Sequence, residues 1–144
     1  MDERINLERM PQNYLMCTHA SCTRCRNCLR FLAFVSLPDS EATILIVNPK
    51  SLAQPTDGCS YHRSSEKIRF AKGFIGILDS LPIKVWKSVS YKLQFLYNLR
   101  TYYRLRKGEK LLPPKEQERI RDIIRQHGIQ NIPDFEDFLE DYAW

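Results

Sequence analysis

Hydrophobic residues in the first third of the chain fall into two short runs, Leu29–Val35 and Ala42–Val47, separated by a turn-forming stretch. The second run is rich in β-branched residues and ends at Asn48-Pro49, so it predicts a strand. The first run suits either a partner strand or a short helix. Residues 49–58 then form a loop that leads to Cys59. The pattern predicts a small α+β segment.

From Ser64 onward the apolar residues recur every three or four positions, which is typical of amphipathic helices. A first helix is predicted over residues 64–78, and we interpret Gly73 and Gly76 within it as points where another backbone approaches closely. A second helix, over 83–97, has apolar residues on two faces, which predicts packing on both sides. A further helix spans 115–127 and ends at Gly128.

A basic stretch lies between these helices, with the sequence NLRTYYRLRKGEKLLPPKEQ over residues 98–117. Thr101 is the predicted N-cap of a short helix, and Gly108 ends it. At 100° per residue, Thr101, Tyr102 and Leu105 share the inner face. A donor-rich outer face suits a helix that enters a nucleic-acid groove. The candidate nucleic-acid-binding residues on this face are Arg100, Tyr103, Arg104 and Lys107.

The tail, residues 132–144, reads IPDFEDFLEDYAW and combines an apolar stripe at helical spacing with five acidic residues. This pattern predicts an acidic aromatic C-terminal helix that docks on the core. Two alternatives stay open. The tail either masks the basic surface or contacts another protein, including a second copy of the chain.

Charge is distributed unevenly along the 144 residues. Residues 1–62 are neutral, residues 63–128 carry a net charge of +10, and residues 129–144 carry −5. We use these changes as predicted domain boundaries, with a cysteine-rich segment, a basic helical domain and the acidic tail. Such a basic excess is typical of a surface that binds a polyanion. A basic surface with no partner is the alternative.

The N-terminal sequence MDERINLERM has no apolar segment of the kind a secretory signal needs. The longest apolar runs are far shorter than the ~20 residues of a membrane span. We therefore expect a cytoplasmic protein with no membrane association. In a reducing compartment, cysteines more often bind metal or stay free than form disulfides.

Four of the five cysteines fall within the sequence CTHASCTRCRNC, and Cys59 stands apart. One interpretation is a tetrahedral zinc site made by Cys17, Cys22 and Cys28 together with Cys59. A second is an iron–sulfur cluster on the local run, in which Cys25 is a ligand. A third is a set of ordinary free cysteines. His19 and His62 lie close enough in sequence to replace a thiolate.

Several motifs together resemble a family of small bacterial proteins of unknown function. They are Cys17-x4-Cys22-x5-Cys28-Leu29-Arg30, Val47-Asn48-Pro49, Cys59-x-Tyr61, Thr101-Tyr102-Tyr103-Arg104 and Lys107-Gly108-Glu109. The resemblance covers nearly the whole chain. It implies a four-cysteine site at Cys17, Cys22, Cys28 and Cys59, with Cys25 as an additional cysteine, and it implies no function.

Residues 64–128 are also similar to helix-turn-helix domains of the phage-repressor type, through the Tyr-Arg and Lys-Gly residues of the basic helix and the Pro-x-Glu-Gln that follows. The predicted fold is therefore mainly α, with a cysteine-rich α+β N-terminal part. The C-terminal part is predicted to hold four to five helices of helix-turn-helix type. A plain helical bundle with solvated basic residues is the alternative.

The sequence contains no Gly-rich phosphate loop and no zinc-protease motif, so we expect no enzyme activity. The one enzymatic alternative is a reactive Cys25 between Arg24 and Arg26. The predicted function is that of a DNA-binding, regulator-like protein with a structural metal site. RNA stays open as a target, since Tyr103 can stack on an unpaired base. A structural or adaptor protein that uses the tail for protein contacts is the alternative function.

Overall fold

The computed structural model describes residues 4–52 and 58–144. Within these residues five α-helices dominate, with one small antiparallel sheet of two strands. The mainly helical class is thus confirmed. No helix in the described ranges has the length and apolar character needed to cross a membrane. The elements are α1 (Leu29–Ser36), β1 (Lys67–Lys72), α2 (Ile75–Asp79), α3 (Ile83–Tyr97), α4 (Leu99–Lys107), α5 (Pro114–Arg125) and β2 (Asp137–Tyr142), with 3-10 turns at Cys25–Asn27 and Pro49–Leu52.

The chain divides into two compact units. The first contains Met1–Lys67 and Tyr142–Trp144, and the second contains Ile68–Asp141. In the first unit, the apolar run that suited either a strand or a helix forms α1. Its core joins α1 to the preceding segment and to aromatic residues near the C-terminus. The buried residues of this core are Tyr14, Met16, Leu29 and Ala33.

The predicted strand over residues 42–47 is wrong. In the described part of the first unit this stretch makes only an isolated parallel bridge between Met16 and Ile46. Ile44, Leu45 and Ile46 are exposed, and only Val47 is buried. A strand needs a neighbour along its length, and the single bridge supplies one for a single residue.

The second unit is built around α3, which packs against α2, α4 and α5. These helices and the two strands enclose one hydrophobic core. Burying a large aliphatic side chain stabilises a fold by about 1.5–3 kcal/mol. The fully buried large side chains of this core are Phe74, Ile77, Leu78, Val89, Leu93, Tyr102, Leu112, Ile120 and Ile124.

The predicted helix over residues 64–78 is wrong in its first half, where residues 67–72 form β1. Apolar Ile68 and Phe70 alternate there with Lys67 and Arg69, the two-residue period of a strand. Only Ile75–Asp79 is helical. A continuous helix is also excluded by the backbone of Gly73, whose φ is +72°.

Gly73 and Gly76 have different environments. A Cβ added to Gly73 would lie 2.7 Å from Glu136 Oε2 and 3.3 Å from the carbonyl oxygen of Arg106. The same atom added to Gly76 would meet nothing within 4 Å. The predicted close backbone approach is therefore confirmed for Gly73 and wrong for Gly76.

Helix α3 has the predicted bounds, but it is not packed on both sides. Its inner face is buried, whereas Tyr91 is 74% exposed and Phe95 is 87% exposed on the outer face. The sequence shows that α3 has two apolar faces, but it does not show that the rest of the fold covers only one of them. Helix α5 begins at Pro114 as its first residue, because a missing amide donor costs little in the first turn.

The predicted tail helix is wrong, since residues 137–142 form β2, which pairs with β1. Phe135 is buried in the core of the second unit, and the guanidinium of Arg69 on β1 lies 3.7 Å from the ring centroid of Phe138. The apolar residues of this short tail fit both the 3.6-residue period of a helix and the two-residue period of a strand. Pairing with a distant strand selects the strand, because it satisfies the backbone polar groups.

Candidate nucleic-acid interface and cysteine pocket

Helix α4 is short because both its ends are defined by single residues. Asn98 is the N-cap, where the prediction placed Thr101. The Asn98 side chain accepts a hydrogen bond from the Thr101 amide at 3.0 Å, and its own φ is +59°. At the other end Gly108 adopts a left-handed conformation with φ +83°. Asn98 is the one residue between the end of α3 and the start of α4, so the two helices are joined by a tight turn, as the sequence predicted.

The inner face of α4 is buried. Tyr102 is 1% exposed and Leu105 is 3% exposed, and the Tyr102 hydroxyl donates a hydrogen bond to Ser90 Oγ on α3. Thr101 is half-buried at the edge of this face. The inner residues hold α4 in one rotation about its axis, which determines the side chains that point outward.

The four candidate residues of the outer face are all exposed, and we call this set the basic face of α4. It consists of Arg100, Tyr103, Arg104 and Lys107. Within the described residues none of its three cations forms a salt bridge. The cations are therefore available for an external anion.

The arginines of α5 have a different environment. Arg125 pairs with Glu118 at 2.6 Å and with Asp122 at 2.8 Å, and Arg121 pairs with Asp134 at 2.9 Å. Their charges are compensated by neighbouring carboxylates. In contrast, α3 and α4 together contain seven Lys or Arg residues and no Asp or Glu. The positive charge is thus concentrated on α3 and α4.

The first unit contains a cavity of about 50 Å³ lined by all five cysteines, which we call the cysteine pocket. His19 and His62 also line it. The four predicted metal ligands therefore surround one space, and Cys25 is present as well. The cysteines are all free; Cys28 is buried and the others are half-buried. The lining cysteines are Cys17, Cys22, Cys25, Cys28 and Cys59.

Backbone hydrogen bonds bring the local cysteines close through a series of tight turns. The Cys22 amide donates to the His19 carbonyl, the Cys25 amide to the Cys22 carbonyl, and the Cys28 amide to the Cys25 carbonyl. The segment that carries Cys59 is joined to them by the amide of Leu29, which donates to the Arg63 carbonyl at 2.7 Å.

Arg30 holds the segments of the pocket together, and sequence reasoning missed it. Its guanidinium Nη1 donates to the Leu15 carbonyl at 2.6 Å, and its Nε donates to the Tyr61 carbonyl at 2.8 Å. Its own carbonyl accepts from the amide of Cys17. One side chain thus connects the residues before Cys17 to those after Cys59. The available signal was the position of Arg30 two residues after Cys28.

The Cys17 thiol is affected by burial and by three other cysteines of the pocket. Burial raises the pKa of the Cys17 thiol, and the neighbouring Cys28, Cys59 and Cys22 raise this pKa further through charge repulsion. These three are the other predicted ligands. His62 Nε2 is buried and has no hydrogen-bond partner in the described protein. The imidazole of His62 therefore lies in the same pocket as the five thiols.

The described residues contain no group of three or more His, Cys, Asp or Glu side chains arranged so that it could hold a metal ion. Side chains can line the same cavity without meeting at one point. The shared cysteine pocket and the absence of a ready metal-binding group in the described residues are therefore compatible. The pocket gathers the donor side chains without bringing three of them into bonding positions.

The aromatic side chains of the tail, which the alternative function assigned to a partner, pack within the chain. Phe135 is buried, and its ring lies 6.3 Å from that of Phe138. Trp144 packs edge-on against Tyr14, with 5.2 Å between ring centroids. These rings contribute to the cores of their own units.

The whole chain, residues 1–144, matches the model of DUF6078, a family of unknown function, and the protein belongs to that family. The expected membership in a family without an assigned function is confirmed. Comparison with curated proteins gives no match. Comparison with solved structures gives none either. Any function must therefore be argued from the residues themselves.

Proposed function

We propose that this protein binds nucleic acid, with duplex DNA as its target, through the basic face of α4. The observation that carries the proposal is that three cations, none paired with a carboxylate of the described residues, project with one tyrosine from a single face of a helix whose opposite face is buried. A rigid helix with exposed donors on one side suits insertion into the major groove. The sharp turn at Asn98 between α3 and α4 supports an arrangement of the helix-turn-helix kind.

The four side chains have different proposed roles. Arg104 reads a guanine edge, because a guanidinium can donate two parallel hydrogen bonds to the O6 and N7 of guanine. Arg100 and Lys107 contact phosphates, which orient the protein without reading sequence. Tyr103 contacts a phosphate through its hydroxyl or a thymine methyl through its ring. A single helix of this size makes few contacts, so a second copy or the first unit must add to the affinity.

We further propose that the cysteine pocket holds one structural zinc ion through Cys17, Cys22, Cys28 and Cys59. Zinc binds thiolates well, and the cavity that these four cysteines share supports the assignment. The unpartnered Nε2 of His62 is an additional nitrogen donor at the same place. An iron–sulfur cluster is the alternative occupant. The first unit has a small core, and zinc ligation would supply cohesion of roughly 10–16 kcal/mol in apparent binding energy.

An adaptor function through the tail has less support, because the tail aromatics that would contact a partner are packed within the chain. We therefore keep nucleic-acid binding as the function that the geometry favours. Its direct test begins with a random-sequence selection using duplex DNA at low salt and the wild-type protein. Recovery of no sequence above background would refute the proposal.

Two substitutions, each measured with the DNA sequence that the selection recovers, then locate the interface on the protein. Lys107→Ala should lower the slope of log affinity against log salt by about 0.9, because one phosphate contact is lost. Lys115→Ala is the matched control, since Lys115 is an exposed lysine on α5 outside the basic face. Equal effects of the two substitutions would show binding by net charge alone.

Arg104→Ala tests base reading separately. It should relax discrimination at one base pair by about 1–3 kcal/mol. Arg104→Lys keeps the charge but loses the planar pair of donors, so it should retain the salt slope and still lose discrimination. Unchanged discrimination in both variants would remove Arg104 from the proposed reading role.

A further inference from the structure

The outer face of α3 carries two aromatic rings in water. Phe95 is 87% exposed and Tyr91 is 74% exposed, the highest values among the exposed large hydrophobic residues. The two residues are four positions apart on one helix, so their Cβ atoms lie roughly 5–6 Å apart on the same face. Exposed rings of this size contribute nothing to the core of the second unit.

Two lysines precede these rings on the same face of α3. Lys87 lies four residues before Tyr91, and Lys84 lies one turn further back on the same side of the helix. Both lysines are exposed, and within the described residues neither forms a salt bridge. Lysine is depleted in the buried centre of protein–protein interfaces, where aromatic residues are enriched. The mixture of lysines and rings therefore favours a polyanion over a protein surface.

We infer that this outer face of α3 binds an unpaired nucleic-acid strand, with bases stacked on Phe95 and Tyr91 and phosphates held by Lys84 and Lys87. Proteins bind single strands without sequence preference by combining cations that contact the backbone with aromatic rings on which bases stack. Every base has a flat apolar face, so this contact tolerates any sequence. The inference extends the proposed function from the basic face of α4 to a second surface and rests on nucleic acid being the ligand.

The test uses fluorescein-labelled oligo(dT), which forms no duplex, with oligo(rU) as the RNA probe, and measures anisotropy on the full-length protein. Wild-type protein should bind, and Phe95→Ala should weaken binding by about 5- to 150-fold, the loss expected for one base–aromatic stack. Phe95 is largely exposed, so its substitution should not disturb folding. The Kd ratio between the two probes shows whether DNA or RNA is preferred.

Three variants separate stacking from apolar contact. Phe95→Trp keeps a ring and should keep the affinity, whereas Phe95→Leu keeps apolar area without a ring and should lose most of it. Ile83→Ala is the matched control, because Ile83 is 70% exposed on α3 and aliphatic. The control should bind as the wild type does. Wild-type affinity of Phe95→Leu would overturn the inference.

The same variants distinguish this surface from that of α4. Phe95→Ala should leave binding to the selected duplex unchanged, and Lys107→Ala should reduce it. Failure to bind either single-stranded probe, with duplex binding intact, refutes only this inference. If the protein binds oligo(dT) but the selection recovers no duplex above background, the duplex target is refuted and the inference for this surface stands.

Two other occupants of the face predict different results. A second copy of the chain would give a dimer in sedimentation equilibrium that Phe95→Ala dissociates. An anionic membrane surface would give Phe95-dependent binding to vesicles containing phosphatidylserine. Either result, without Phe95-dependent binding of oligo(dT) or oligo(rU), would overturn the assignment.

Discussion

The hydroxyl of Tyr102 on α4 donates a hydrogen bond to Ser90 Oγ on α3 at 3.2 Å, and both residues are at least 97% buried. This bond is one of the few polar contacts inside the core of the second unit. It joins the two helices directly behind the basic face of α4. The rotation of α4, and therefore the direction of its outer residues, depends on this inner contact.

Tyr102→Phe should destabilise the protein by about 1–3 kcal/mol, because it leaves the Ser90 hydroxyl buried without its partner. The double variant Tyr102→Phe with Ser90→Ala removes both polar groups and should recover part of that loss. Denaturant unfolding of the wild type, Tyr102→Phe, Ser90→Ala and the double variant measures the changes as shifts in midpoint at constant slope. Tyr103→Phe, on the exposed face, is the control and should stay within about 0.5 kcal/mol of the wild type. Additive losses in the double variant would show that the two groups are not coupled.

Gly73→Ala should destabilise the protein by at least about 1–2 kcal/mol, the cost of a left-handed conformation for a residue with a Cβ. The new atom would also crowd Glu136. Gly76→Ala is the matched control within α2, because open space surrounds it, and it should stabilise by about 0.5–1 kcal/mol. Thermal unfolding of both variants checks that the two changes in stability have opposite signs. Two changes of the same sign would contradict this account of the two glycines.

Protein purified without added metal should contain about one zinc per chain by elemental analysis. Cys59→Ser should lower this content sharply, whereas Cys25→Ser should leave it unchanged. Hydrogen exchange on the Cys59→Ser variant should show lost protection in the first unit and retained protection in residues 68–141. A brown protein with visible absorption would favour the iron–sulfur cluster, and protein without any metal would refute the site.

Arg30→Ala should weaken zinc binding by about 10- to 100-fold, the effect typical of residues that orient metal ligands. The reason is that Arg30 connects the carbonyls of Leu15 and Tyr61 on the two sides of the pocket. Competition with a chromogenic chelator measures the affinity. Arg26→Ala is the control, because Arg26 is exposed in the turn beside Cys25. If Arg30→Ala retained wild-type zinc affinity, the positioning role would be excluded.

Because of Tyr97, we expect the stability of the protein to fall at alkaline pH. Burial raises the pKa of the Tyr97 phenol, and its hydrogen bond to Glu116 raises that pKa further. The folded protein therefore keeps this proton at pH values where the unfolded chain has lost it. The stabilisation is complete below the usual tyrosine pKa of about 10 and is lost as the pH rises through the raised value.

The free energy of unfolding of the wild type should exceed that of Tyr97→Phe by a constant amount between pH 7 and 9. Above about pH 10 the difference should shrink, since Tyr97 begins to lose its proton in the unfolded chain. Urea unfolding at each pH gives the two curves. A difference that stayed constant or grew at alkaline pH would contradict the raised pKa.

Local sequence determined the series α3, α4 and α5. Each of these helices has enough residues at helical spacing to define an apolar face, and its ends carry residues with a conformational reason to be there. Asn98 separates α3 from α4, Gly108 ends α4, and Pro114 begins α5. The outward direction of Arg104 followed from the same spacing. Cysteine spacing predicted one ligand set of four cysteines, and the structure places all five around one pocket.

Tertiary structure decided the rest, because the deciding partners are distant in sequence. Strands β1 and β2 are each six residues long and lie about 70 residues apart, so the partner that selects a strand in each segment is absent from its local sequence. Arg30 bonds to Tyr61 across 31 residues, a contact that no local pattern encodes. The apolar face of α3 that contains Phe95 looked like a second buried face, and only the packing of the other helices left it in solvent. A sequence specifies which faces are apolar, but the arrangement of all the elements determines which of them are covered.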